Sequence, residues 1–192
     1  MEKIDMLAGM LIITAMLCLA IFTVFVGQNE RLATLGTVSM ALLAVGLSGG
    51  AVIHGYEYEN KIRPESLLSG FFGVSAVALA QLPAVLTGLS LYGLSAVDPT
   101  ATRLFLISQA VAEETFFANV LYAFLSRASV KTVANVGTAA IFMLFHAIVY
   151  ANQTLVLLSV FFSRLALNFV YERGGLGASA LSHVIVNAFA GG

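Results

Sequence analysis

The side chains most able to do chemistry in this chain sit inside its most apolar stretches. Glu113 and Glu114 are adjacent in one such stretch, His146 lies in a second and His183 in a third. Adjacent helical residues point about 100° apart. One carboxylate can therefore face a cavity while the other reaches sideways to a partner. Two carboxylates this close in low dielectric can share one proton, a useful state for general acid–base work. Phe142 and His146 are four residues apart, as are His183 and Asn187, so each pair shares a helix face. A His one turn from an Asn offers hydrogen-bond donors for a developing oxyanion. A carboxylate beside a second His can take a proton from water. Together these are the parts of a hydrolase that attacks an amide with activated water. Two His and a Glu are also a ligand set of zinc hydrolases. Here they come from three separate helices, without a His-Glu-x-x-His helix, so zinc is the lesser expectation and no cofactor is the preferred one.

The elements that must position these groups are membrane helices. Hydrophobic residues make up 59% of the 192-residue chain, charged residues 10%, and the mean hydropathy is +0.95. Soluble domains carry roughly 25% charge. The expected fold is all-α: a polytopic transmembrane bundle forming one integral membrane domain over residues 1–192. Seven stretches reach or approach the ~20 residues a crossing needs: about 6–27, 32–53, 66–92, 101–126, 132–151, 154–171 and 175–190. The first is longer than a signal-peptide core of roughly 7–15 residues and reads as an uncleaved helix. Pro64 opens the third span and Pro83 is expected to kink it. Glu172 to Gly175 is expected to be a loop. With the N-terminus in the cytoplasm, the inner side collects Lys3, Lys61, Arg63, Arg127, Lys131 and Arg173, and the outer side Arg31 and Arg103, which favours that orientation. The net charge of −1 gives no sign of a nucleic-acid partner, and the single cysteine, Cys18, cannot form an intrachain disulfide. A charge at bilayer depth costs at least ~2.5–3.5 kcal/mol, so two Glu and two His in separate spans are best explained by joint use.

Glu113-Glu114, then Phe142-Met-Leu-Phe-His146, then His183-Val-Ile-Val-Asn187 resemble the three motifs of the CPBP family, the CAAX protease and bacteriocin-processing (Abi) family. Its patterns are Glu-Glu-x-x-x-Arg, Phe-x-x-x-His and His-x-x-x-Asn, and all three occur here in order. The resemblance covers about residues 100–190. It implies an intramembrane glutamate endopeptidase. Glu113 would be the general base on a water that His146 helps to position. His183 and Asn187 would form the oxyanion site and Glu114 would support Glu113; Phe142 is read as a supporting residue, for core packing rather than chemistry. The implied substrate is a peptide or a lipidated protein at a membrane. One departure stands out: the motif's Arg position is Ala118, followed by Asn119. Arg164, in the middle of the sixth span, is the expected substitute. An unpaired Arg at that depth would be costly, so it is expected to pair with Glu113 or Glu114.

Plainer readings exist for each feature. A lone His in a membrane helix is often interhelical glue, and Asn135 and Asn168 are read that way. The two Glu with Arg164 could form a purely structural ion network. Gly46-Leu47-Ser48-Gly49 matches a rhomboid-type nucleophile motif, but its His and Asn partners follow it rather than precede it. Gly46 and Gly50 are therefore read as a small-residue packing surface. The functional alternatives are a non-catalytic membrane immunity or binding protein on the same scaffold, and a small proton-coupled transporter. Glue alone does not predict the three spacings in order.

Overall fold

The computed structural model describes residues 30–54, 64–86, 99–150 and 153–190, and these are helical apart from Ser129, Val130 and Gln153. Helix α1 is Glu30–His54 and α2 is Pro64–Leu86. Helix α3 (Pro99–Phe116) runs directly into a π-helical segment, Phe117–Tyr122, and on into α4 (Ala123–Ala128). Helix α5 is Lys131–Tyr150 and α6 is Thr154–Ala190. Four stretches among the described residues are long and apolar enough to cross a membrane: Thr34–His54, Leu67–Val85, Thr102–Ala128 and Thr154–Phe189. The expected span 6–27, with Cys18, lies outside the described residues, as do the loop lysine and arginine at 61 and 63. The outward side chains fit lipid. Helix α2 exposes Phe72 at 70% and Leu79 at 65%, a surface that water would not tolerate as a continuous patch.

Two expectations need correction. Glu172 to Gly175 is not a loop. The helix continues through Glu172, Arg173 and Gly174, and only Gly175 leaves helical geometry, at φ 74° and ψ −171°. Glycine reaches that left-handed φ without a Cβ clash, so one residue does what a loop was expected to do. Ser159 and Asn187, on either side of this break, line the same cavity. A straight helix would hold them roughly 40 Å apart, so the chain doubles back at Gly175 into two arms, 154–174 and 176–190. The second correction concerns the fourth span, which is not uniform α-helix. Its π segment ends the α-helical register just after the two glutamates. Asn119, within it, accepts from His54 Nε2 at its carbonyl (3.1 Å) and from Tyr171 Oη at its side-chain oxygen (3.3 Å). The His54 bond gives the Asn119 carbonyl an outside donor where the π turn alters backbone bonding. Pro83 lies inside α2, three residues before its described end.

Glycines let the first two helices approach the glutamate and histidine arms closely. A Cβ on Gly46 of α1 would lie 2.7 Å from the backbone C and O of Thr115, the residue after Glu114. A Cβ on Gly73 of α2 would lie 2.2 Å from Ser182 Oγ, next to His183, and 2.7 Å from Val170 Cγ2. Ser182 also donates to the Gly70 carbonyl at 2.7 Å. Below this contact Val77, Leu167 and Val186 form a buried cluster joining α2 to both arms of α6. Gly73→Ala should therefore destabilise the fold in detergent by ~1–3 kcal/mol, the usual cost of overpacking. Adding Ser182→Ala should recover part of that loss by removing the nearest atom. Thermal unfolding of the single and double variants checks this, and simple additivity would show that the two positions are not in contact.

Candidate functional site

Three helices, one of them broken into two arms, bring the motif residues to one place. Helix α3 supplies Glu113 and Glu114, α5 supplies Phe142 and His146, the first arm of α6 supplies Arg164, and its second arm His183 and Asn187. Glu113, Glu114 and Arg164 are among the most deeply buried side chains, at 2%, 0% and 0% exposure.

Glu114 is fully engaged. Its two oxygens accept from Arg164 Nη1 at 2.6 Å and Nη2 at 3.0 Å, the bidentate fork that guanidinium and carboxylate make best. Its Oε1 also meets His183 Nδ1 at 2.9 Å. Arg164 Nε continues the network to Asn168 Oδ1 at 2.8 Å, and Asn168 donates to Asn135 Oδ1 at 2.8 Å. The two asparagines thus link α5 and α6 and orient the arginine at the same time. Phe142 lies beside the guanidinium, 5.5 Å from ring centroid to Cζ, within cation–π range. Ala118, where the family motif has Arg, is fully buried and small. The positive charge comes instead from a different helix.

Glu113 is engaged differently. Its Oε1 accepts from Gln109 Nε2 at 2.7 Å. His146 Nε2 stands 3.8 Å from Oε1, and His183 Nε2 stands 3.8 Å from Oε2. Both distances are too long for direct hydrogen bonds, yet a water beside either gap can reach both atoms. Hydrogen-bond partners assign the ring protons. His146 Nδ1 faces the Phe142 carbonyl at 2.9 Å, which can only accept, so Nδ1 carries the proton. In the neutral ring Nε2 then presents a lone pair toward Glu113. His183 Nδ1 faces a carboxylate that is already paired with Arg164, so it too carries a proton. Its Nε2 becomes a donor only when the ring is an imidazolium. Asn187 Nδ2 donates to the Leu106 carbonyl at 3.3 Å, which anchors the amide against α3. Rings hold the imidazole of His146 on both sides, with Phe142 at 4.3 Å and Tyr150 stacked at 6.2 Å.

Glu113, His146, His183, Asn187 and Phe142 open on a cavity of about 190 Å³, whose wall also includes Leu35, Val38 and Leu42 of α1. Glu114 and Arg164 lie behind that wall. Among the described residues, no group of three or more His, Cys, Asp or Glu side chains is arranged to hold a metal ion. Gln109 and Tyr150 escaped the sequence reading. The signal for Gln109 was available, since it is a polar residue one turn before Glu113 on the same face.

Residues 97–189 match the family model described as Rce1-like, type II CAAX prenyl endopeptidase. This region of the chain is similar to that family. The match agrees with the CPBP resemblance and contains every motif residue, the substitute Arg164 included. Helices α1 and α2 lie outside it, although α1 closes one wall of the cavity and Gln81 of α2 reaches it. No curated protein and no solved structure matches the chain.

The Rce1-like region depends on one buried ion pair, and that dependence can be measured. Removing one partner of such a pair costs roughly 3–5 kcal/mol, because the other charge is left bare. Arg164→Met should lower stability in detergent by about that amount. Combining it with Glu114→Gln should recover part of the loss, measured as a coupling energy in a double-variant thermal unfolding cycle. Independent, additive losses would show the pair to be uncoupled.

Proposed function

We propose that this integral membrane protein is an intramembrane endopeptidase that hydrolyses a peptide bond with a Glu113-activated water and no metal. The observation that carries the reading is the pair of 3.8 Å gaps between Glu113 and the two imidazole Nε2 atoms. They leave a polar, water-sized place on the cavity wall, beside groups that can accept and donate protons.

In this reading a water donates one hydrogen to His146 Nε2 and the other to Glu113. Its lone pair is thereby aimed at a substrate carbonyl carbon. As the new C–O bond forms, Glu113 takes the water's proton and passes it to the leaving amine, and the C–N bond breaks. The oxygen of the tetrahedral intermediate needs donors. When protonated, His183 supplies Nε2–H, and the Asn187 amide supplies an N–H. Glu114 has a separate task. Held by Arg164, it accepts His183 Nδ1–H and fixes that ring's orientation. Gln109 positions Glu113, and Phe142 packs between Arg164 and His146. The family match supports a CAAX-type substrate, a prenylated protein or peptide approached from the membrane. The basic residues Arg127, Lys131 and Arg173 support a cytoplasmic placement of their end of the bundle, and hence of the N-terminus.

The test is purified protein with a library of lipidated and unlipidated peptides. Glu113→Gln should lower kcat by about 10²–10⁴-fold, the usual contribution of a positioned general base. Chelators should leave activity intact, because a carboxylate-activated water needs no metal. Activity lost to a chelator and restored by Zn²⁺ would replace this mechanism with a metal-dependent one.

A further inference from the structure

Several helical hydroxyls among the described residues are bonded to their own backbone. Ser39, Ser108, Thr115, Ser126, Ser179 and Ser182 each donate to a carbonyl three or four residues earlier. Ser159 and Ser163 do not. They are 1% and 5% exposed, and their hydroxyl oxygens have no hydrogen-bond partner among the described residues. Thr102, Thr138 and Gln153 share that condition, but only Ser159 and Ser163 also line the catalytic cavity. They lie one turn apart on the face of α6 that continues to Leu167, another residue of the cavity wall.

A buried hydroxyl without a partner is unfavourable and calls for an explanation. A ligand that arrives with its own donors and acceptors provides one. The spacing indicates which kind. Residues four apart on a helix are offset by roughly 6 Å along its axis. An extended peptide repeats its same-side backbone groups every two residues, or about 6.6 Å. Two hydroxyls one turn apart therefore match two consecutive same-side amide groups of an extended chain. We infer that Ser159 and Ser163 form a backbone-binding pair that holds an extended peptide segment along the first arm of α6. The inference rests on the peptidase reading of the cavity. It adds a substrate property to that reading: the segment is read through its main chain, whatever its side chains or lipid.

The experiment compares the full-length protein with Ser159→Ala, Ser163→Ala and the double variant. Each single variant should raise KM for a cleaved peptide by about 2–10-fold, the value of one hydrogen bond. None should lower the unfolding temperature, because the hydroxyl removed has no partner in the folded protein. Replacing the contacted substrate amide by an ester should shrink the serine effect toward onefold, a coupling that a merely structural role would not produce. Unchanged KM in the double variant of an active enzyme would overturn the pair's role and leave the peptidase reading standing. A lowered unfolding temperature with unchanged KM would do the same. If the wild type cleaves no peptide, the peptidase reading fails by itself, and binding of fluorescent peptides from the same library decides the pair. Weaker binding by the double variant upholds it. Equal binding, or none by either protein, overturns it.

Discussion

A guanidinium cannot shed its charge in a membrane interior, and the organisation around Arg164 follows from that constraint. The residue is fully buried and remains protonated in any protein environment. It requires a carboxylate, and Glu114 meets it with both oxygens. A third donor, Nε–H, is met by Asn168, and Asn168 is held in turn by Asn135. The pair therefore connects three helices, and it fixes the one carboxylate that can orient His183. The arrangement separates two roles that adjacent glutamates could otherwise confuse. Glu114 is held by a permanent cation, whereas Glu113 faces the cavity with an uncharged amide as its hydrogen-bond partner.

Close packing from outside the family-matched region sets the position of this network. Gly46 admits α1 to the backbone beside Glu114, and Gly73 admits α2 to the residue beside His183. Neither helix carries a motif residue, yet each borders the site at sub-side-chain distance. In a bilayer there is little hydrophobic force to press helices together, so small residues that permit van der Waals approach carry much of the association. Gly46 is such a residue, and its close-packed companion is Gly49 rather than the expected Gly50: a Cβ on Gly49 would lie 3.2 Å from Val120 Cγ2. The π segment just after the glutamates is the other local device. It changes register where α1 and α6 supply donors to Asn119.

Much of the site was legible in the sequence because helical spacing is a local property. Phe142 and His146, or His183 and Asn187, share a face in any α-helix, and the cost of burying a charge in a membrane marks Glu113, Glu114, His146, His183 and Arg164 as joint participants. The composition likewise declares membrane helices, since so few charges cannot cover a water-exposed surface. The demand that Arg164 find a carboxylate was also readable, because an arginine at that depth cannot remain bare.

Tertiary structure alone decided how those parts divide the work. Which glutamate meets Arg164 depends on helix rotation and crossing geometry, which no spacing along one chain encodes. The assignment of Nδ1 protons on the two histidines follows from a carbonyl and a carboxylate that face them in three dimensions. Glu172 to Gly175 looks like a loop by composition, but a single left-handed glycine suffices to reverse the chain, and only the backbone path distinguishes the two. The π segment leaves no periodic signal in a stretch of only six residues. Gln109 becomes a partner of Glu113 only because both face the cavity that other helices enclose. The sequence determined which residue types had to be buried together, since desolvation acts on each residue wherever it lies. Packing decided which atoms meet, since a hydrogen bond depends on position to a fraction of an ångström.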